Sequence, residues 1–205
     1  MRRLIPRPTS NVTRMNNPGL LEQAHNIISQ HLNQGDIAID ATAGNGHDTL
    51  FLAQRVGKHG KVYAFDIQQQ ALDNCYQRLA EQGVEKQVSL IYAGHETVLF
   101  NTPEEYHLHG IQAAMFNLGY LPGGDKNRTT QSSTSLAALQ SIAQMLKPGG
   151  VITIMAYRGH PGGFDESVAV QQWMEHLNKD CFQISVINAQ HNSETSPRLL
   201  LVQAR

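Results

Sequence analysis

The sequence predicts an α/β fold: seven strands in a mostly parallel sheet, helices on both faces, and a C-terminal antiparallel hairpin. Three observations carry this expectation. Strand-like apolar runs alternate with runs of helical period along most of the chain, the pattern of a parallel sheet. Runs such as GVITIMAY (150–157) and IQAAMF (111–116) are apolar almost throughout, as strands covered on both faces are. The last two strand-like runs, CFQISVINAQ (181–190) and RLLLVQAR (198–205), have only a polar loop between them, so they pair antiparallel.

Each element follows in order. GLLEQAHNIISQHL (19–32) puts Leu20, Leu21, Ala24, Ile27, Ile28 and Leu32 at helical spacing and is ended by Gly35. DIAIDAT (36–42) is the first strand, and GHDTLFLAQRVG (46–57) is a helix stopped by Gly57. KVYAFDI (61–67) is the second strand, QQQALDNCYQRLAEQG (68–83) a helix closed by Gly83, and VSLIYAG (88–94) the third strand. GIQAAMFNLG (110–119) is the fourth strand, and the helix TSLAALQSIAQML (134–146) stops before Lys147 and Pro148. The fifth strand, GVITIMAY, leads to a last helix, FDESVAVQQWMEHLN (164–178). Residues 1–17 read as a basic N-terminal arm and residues 18–205 as one domain, because neither repeat nor composition shift divides them.

Composition narrows the function classes. A chain of 205 residues, 40% hydrophobic and 16% charged, has the make-up of one ordinary globular domain and not of a disordered segment. No apolar run approaches the roughly 18 residues of a membrane span. The arm carries Arg2, Arg3, Arg7 and Arg14 without the apolar stretch of a secretion signal, so a cytoplasmic protein with no membrane partner is expected. Cys75 and Cys181 lie far apart and outside metal-ligand spacing; they read as idle thiols, and no metal is expected. A net charge of −1 makes no global case for nucleic-acid binding and leaves the arm as the clear basic candidate.

Chemistry concentrates in the loops that follow the strands. In DATAGNGHD (40–48), Gly44 and Gly46 let the backbone turn tightly and approach a ligand. The third glycine of the dinucleotide pattern is replaced by Thr49, which weighs against NAD. Asp40, beside a helix N-terminus, would repel a pyrophosphate competing for the same amides and suits a ligand's ammonium group. Asp66 ends the second strand 20 residues beyond Gly46, where a carboxylate binds ribose hydroxyls. Its alternative role is to cap the following helix.

Asp40, Gly44, Gly46 and Asp66 on a seven-stranded plan resemble the Rossmann-like class I S-adenosylmethionine-dependent methyltransferases, over residues 18–205. The resemblance implies that Asp40, Thr42, Ala43, Gly44, Asn45, Gly46 and Asp48 carry the methionine part of the cofactor. It further implies Asp66, Ile67 and Gln68 at the ribose, and Gly94 and His95 of AGHETV near the adenine. FNLGYLPGGDKNRTT (116–130), after the fourth strand, falls where this family does its chemistry. Asn117-Leu118-Gly119-Tyr120 resembles the Asn-Pro-Pro-Tyr motif of amino-group methyltransferases, with both prolines replaced. Asn117, also beside the cofactor, would accept an amine hydrogen and aim its lone pair in line with the departing sulfur. Tyr120 would stack on a flipped base, and Asp125 would take a proton.

The longer words DATAGNGHDTLFLA, FNLGYLPGGDK and YRGHPGG are similar to a narrower group, the small bacterial family long labelled "putative rRNA methylases". Its members are assigned as tRNA methyltransferases acting on the aminomethyl group of wobble 5-aminomethyl-2-thiouridine. This implies an RNA substrate, a tRNA in the first place. The position of YRGHPGG at the same sheet edge sets Tyr157 and His160 to line the substrate mouth with Tyr120, and Arg158 to meet phosphate. Of Asp125 and Lys126, either one contacts the substrate or the pair holds the loop shut. The basic arm is a departure from the compact members of the family. Alternatives are an rRNA or small-molecule amine methyltransferase, a non-catalytic RNA-binding protein on the same fold, and an NAD-dependent oxidoreductase. A chain this small leaves a homodimer open as a way to present enough surface to a tRNA.

Overall fold

A computed structural model describes residues 18–108, 110–121, 123, 128–191 and 193–205. The arm at residues 1–17 and the roles expected of Asp125 and Lys126 lie outside the described residues. Seven strands form one sheet: β1 Ile37–Asp40, β2 Lys61–Asp66, β3 Val88–Tyr92, β4 Ile111–Leu118, β5 Leu146–Ala156, β6 Phe182–Asn188 and β7 Arg198–Ala204. Their order is β3-β2-β1-β4-β5-β7-β6. The first five pair in parallel, whereas β7 runs antiparallel to both β5 and β6. The terminal hairpin is there as expected, with β7 inserted against β5 and β6 left at the edge.

The helices are α1 Leu20–His31, α2 His47–Val56, α3 Gln69–Glu81, α4 Val98–Asn101, α5 Ser132–Met145 and α6 Gly163–Glu175. No described helix is long and apolar enough to cross a membrane. Two details depart from expectation. The short α4 interrupts the stretch between β3 and β4. β5 begins at Leu146, through the turn-like Lys147-Pro148-Gly149-Gly150, and its register with β4 shifts between Ile111 and Ala113. Gly149 takes φ +78° there, a conformation that costs a glycine little, so the strand absorbs the irregularity as a bulge.

Strand side chains alternate between faces, and here both faces are covered. Ala38, Val62, Ala64, Ala113 and Met115 pack under α1, α2 and α3 against Ala24, Ile28, Leu52 and Leu79. Ile39, Phe65, Ala114, Phe116 and Leu118 pack on the other face, against Leu139 and Ile142 of α5 and Val170 of α6. Fully burying side chains such as Phe65 and Phe116 contributes about 1.5–3 kcal/mol each. The alternation also fixes two polar residues. Asp40 follows Ala38, and Asn117 follows Ala113 and Met115, so both side chains point to the α1–α2–α3 face.

Candidate active site

A cleft of about 1170 Å³ opens at the C-terminal ends of the parallel strands, where α/β sheets place their ligands. On one side, the chain leaves β1 and turns through Gly44 (φ +49°) and Gly46 (φ +78°) into α2. Gly46 is required there twice over: its φ is left-handed, and a Cβ would come within 2.8 Å of the Cys75 Cα. The loop is tied to its neighbours. Gly44 N–H donates to Asp66 Oδ2 at 2.9 Å, and Ala43 N–H donates to the Phe65 carbonyl at 2.8 Å. Arg78 Nε donates to the Asn45 carbonyl at 2.7 Å, and Asn74 Nδ2 to Asn45 Oδ1 at 3.0 Å.

Asp66 closes a turn ahead of α3: its Oδ1 accepts the Gln68 N–H at 2.9 Å, but Gln68 is the N-cap of α3 and the helix has no side-chain cap. The Asp66 carboxylate lines the cleft beside Ile67 and Gln68. The N–H groups of Gln68, Gly44 and Ile67 occupy three of the roughly four acceptor positions of the carboxylate, which leaves one for a ligand hydroxyl. Burial pushes the Asp66 carboxyl pKa up, while the amides of Gln68 and Gly44 pull it back.

Asp40 corrects an expectation. It is fully buried, outside the cleft wall, and gives its oxygens to the protein: Oδ1 accepts the Thr42 N–H at 3.1 Å and Oδ2 the Thr49 hydroxyl at 2.6 Å. Strand alternation drives it beneath the glycine turn, where it supports the loop and cannot meet a ligand's ammonium. Burial first, and then the neighbouring charge of Asp48, raise its pKa to about 7. Gly46 likewise packs on α3 and does not line the cleft. Thr42, Ala43, Gly44, Asn45, Asp48, Gly94 and His95 do line it. His95 is 7% exposed, its Nδ1 bonded to the Ala41 carbonyl at 3.1 Å and its ring edge-on to Phe116. Burial holds its pKa below the usual imidazole value, so the neutral ring forms part of the floor.

The opposite wall comes from the described part of FNLGYLPGGDKNRTT: Asn117, Gly119–Leu121, Gly123 and Arg128–Thr130 line the cleft. Asn117 N–H donates to Thr42 Oγ1 at 2.8 Å, and Asn117 Nδ2 donates to Asp48 Oδ2 at 2.7 Å. A carboxylate only accepts, so the amide nitrogen faces Asp48 and Asn117 Oδ1 is turned away from it. Asp48 Oδ1 accepts from His25 Nε2 at 2.6 Å, and the His25 ring stacks on Phe51 with centroids 4.0 Å apart. His25 is a site residue that the motifs did not reveal. Its signal was its place on the α1 stripe with Leu21, Ile28 and Leu32, which leads up to the same face as Asn117.

Beyond Leu118 the run folds back on itself. Tyr120 bridges antiparallel to Thr129, and the Thr130 N–H and Thr129 hydroxyl both donate to the Gly119 carbonyl, at 3.0 and 3.1 Å. Glu166 of α6, 2% exposed, clamps the end of the excursion by accepting the Thr130 hydroxyl at 2.6 Å and the Ser135 hydroxyl at 2.7 Å. Tyr120, 39% exposed, stands edge-on to His160 at 5.9 Å, and Tyr157 is 43% exposed beside it. Tyr120, Tyr157, Arg158 and His160 all border the cleft.

Three comparisons bear on this geometry. The family model described as "Putative rRNA methylase" matches residues 62–203. The chain belongs to that family. A tRNA (mnm(5)s(2)U34)-methyltransferase, chloroplastic, of Arabidopsis thaliana is 42% identical, over 73% of this chain and 57% of that protein. This chain therefore spans little more than half the length of that relative. The crystal structure of a "putative rRNA-methylase" from Clostridium thermocellum superposes with a TM-score of 0.86 at 33% identity, covering 93% of this chain and 100% of the other. A "putative methyltransferase" from Streptococcus mutans, solved in complex with SAH, superposes with a TM-score of 0.82 at 37% identity, over 92% and 99% of the two chains. The family match contains Asp66, Asn117, Tyr157 and Arg158; His25 and Asp48 lie ahead of it.

Proposed function

We propose that this chain is an S-adenosylmethionine-dependent RNA methyltransferase that N-methylates the aminomethyl group of wobble 5-aminomethyl-2-thiouridine in tRNA. The observation that carries the proposal is Asn117, its amide locked by Asp48, facing a glycine turn tied to Asp66 across one cleft. The residues fit the cofactor: a carboxylate with one acceptor position left ends β2, and a close-packed glycine turn leaves backbone room above it. At about 1170 Å³ the cleft exceeds the roughly 300–1,000 Å³ of a drug-sized ligand's site, leaving space for a nucleotide beside the cofactor.

The bound cofactor supplies an electrophilic methyl group on a sulfonium. The chain's own residues position the nucleophile. Asn117 Oδ1 accepts a hydrogen of the neutral amine and so aims its lone pair. Asp48 fixes which end of the amide does this, and His25 fixes Asp48. Tyr120 and Tyr157 offer faces on which a base flipped from the anticodon loop stacks. The proton lost from the amine passes to water, with Asp125 as a candidate carrier. The Arabidopsis relative, named for the mnm(5)s(2)U34 position, supports this choice of substrate. A cytoplasmic location goes with the reading, as does a homodimer that widens the RNA surface; sedimentation velocity measures the latter.

The test pairs binding with turnover. S-adenosylhomocysteine should raise the melting temperature and NADH should not, and labelled methyl should enter undermodified tRNA. Stabilisation by NADH alone would point to the oxidoreductase. Cofactor binding without transfer to any RNA would point to a non-catalytic RNA-binding protein, and transfer to free amines in preference to tRNA to a small-molecule enzyme.

A further inference from the structure

At the rim of the cleft, the loop after β5 and the start of β7 bring two arginines together. Arg158 is 6% exposed, yet its Nε and Nη1 have no hydrogen-bond partner among the described residues. Its guanidinium carbon lies 4.6 Å from the centre of the Phe164 ring, which holds one face of the fork flat against α6. Among the described residues Arg198 donates from Nη1 to Gln171 Oε1 at 2.9 Å, and its buried Nε has no partner. Burial and the nearby Arg198 both push the Arg158 pKa down, with Glu194 acting the other way. Enclosed charged donors left unpaired are costly to a folded chain and call for a partner. Two such charges close enough to feel each other, one of them lining a ligand cleft with unfilled donors, call for an anion.

We propose that Arg158, with Arg198 behind it, forms a subsite for a backbone phosphate of the RNA, next to the flipped nucleotide. The inference rests on the functional reading above and adds to the phosphate contact expected of Arg158 its enclosed, unpaired donors and the second cation, Arg198. Arg158 borders the same cleft as Tyr120 and Tyr157, so aromatic faces for a base and a planar fork for a phosphate lie along one wall. This local pair explains how a chain with net charge −1 engages a polyanion. Arg158 fixes the nucleotide's position and carries no part of the methyl transfer.

The test measures binding of undermodified tRNA to the full chain by fluorescence anisotropy, with S-adenosylhomocysteine present, between 50 and 200 mM salt. For Arg158→Ala the tRNA Kd should rise about tenfold, and the slope of log K against log salt should become shallower by roughly 0.7, one phosphate contact in a single-stranded segment. Arg158→Lys, which keeps the charge and loses the fork, should fall between, and Arg198→Ala should weaken tRNA binding by about threefold. Calorimetry with S-adenosylhomocysteine reports the fold and the other anion within reach, the cofactor carboxylate. An unchanged tRNA Kd and salt slope in a folded Arg158→Ala protein would overturn the subsite. A larger loss for S-adenosylhomocysteine than for tRNA would overturn it too, by giving the arginine to the cofactor. If Arg158→Ala does not fold, Arg158→Gln, which removes the charge and keeps most of the volume, takes its place and its Kd and slope decide in the same way. Failure of the unaltered protein to bind or methylate any tRNA would overturn the functional reading itself, a result separate from any of these.

Discussion

Asp48 holds Asn117 and is itself held by His25: the Asn117 Nδ2 donates to one carboxylate oxygen at 2.7 Å and the His25 Nε2 to the other at 2.6 Å. Three elements, β4, α2 and α1, thus converge on the orientation of one amide. Asn117→Ala removes the amine's acceptor and should lower kcat by roughly 10²-fold, the cost of a misdirected nucleophile. Its S-adenosylhomocysteine affinity should stay within about threefold. Asp48→Asn, which no longer dictates which end of Asn117 faces the cleft, should lower kcat by about tenfold. Steady-state kinetics beside calorimetry checks both. A loss of cofactor affinity with kcat preserved would reverse the roles assigned here.

His25 acts through Asp48 and is a positioning residue. His25→Gln keeps a donor toward the carboxylate and should retain most of kcat, whereas His25→Ala should lose about tenfold. Equal losses in the two variants would mean that packing on Phe51, not the hydrogen bond, is what matters.

The contrast between Asp66 and Asp40 says how much of this was legible in the residue pattern. The apolar runs and the missing last helix made the sheet and its hairpin readable, because burial on two faces leaves a continuous apolar signature. The position of Asp66 beside the glycine turn was readable because its spacing from that turn follows from the length of one β–α–β step. Asp40 was misread: a strand end gives position along the chain, but the side chain's direction depends on alternation within the assembled sheet. It points down, to Thr42 and Thr49. His25 and Glu166 were missed because helix side chains enter the site only through packing, even though Glu166 lies three residues beyond YRGHPGG. The start of β5 was hidden by Pro148 and Gly149, which look like a turn until the bulge is seen.

Asp66→Ala should weaken S-adenosylhomocysteine by about 10- to 100-fold, since it removes a charged acceptor and the tie to the Gly44 amide together. Calorimetry measures it, and a change under threefold would remove Asp66 from the cofactor side.

Asp40 should make stability depend on pH. Burial raises its carboxyl pKa from the ordinary 3.8 to about 7 in the folded chain. Below about pH 3.8 both forms are protonated; as pH rises toward 7 the unfolded chain ionises first, so the stability held by the protonated acid is lost across that window. Asp40→Asn cannot ionise and escapes the loss. The melting temperature of the unaltered protein minus that of Asp40→Asn should fall steadily from about pH 4.5 to about pH 7.5, and a flat difference would refute the burial argument.

Glu166→Ala leaves the Thr130 and Ser135 hydroxyls without their acceptor in a buried place, and should cost roughly 2–4 kcal/mol by denaturant unfolding. Glu166→Gln, which keeps an acceptor oxygen, should cost about half as much. Equal costs would mean that volume and not hydrogen bonding sets the clamp.

The central claim concerns one amine on one nucleoside. Undermodified tRNA carrying 5-aminomethyl-2-thiouridine, incubated with this protein and S-adenosylmethionine and then digested to nucleosides, should yield a wobble nucleoside heavier by one methyl group on its aminomethyl nitrogen. Mass spectrometry should find that product, and Asn117→Ala should make it roughly 10²-fold more slowly. An unchanged wobble nucleoside, with methyl groups appearing at another base or none at all, would contradict the account.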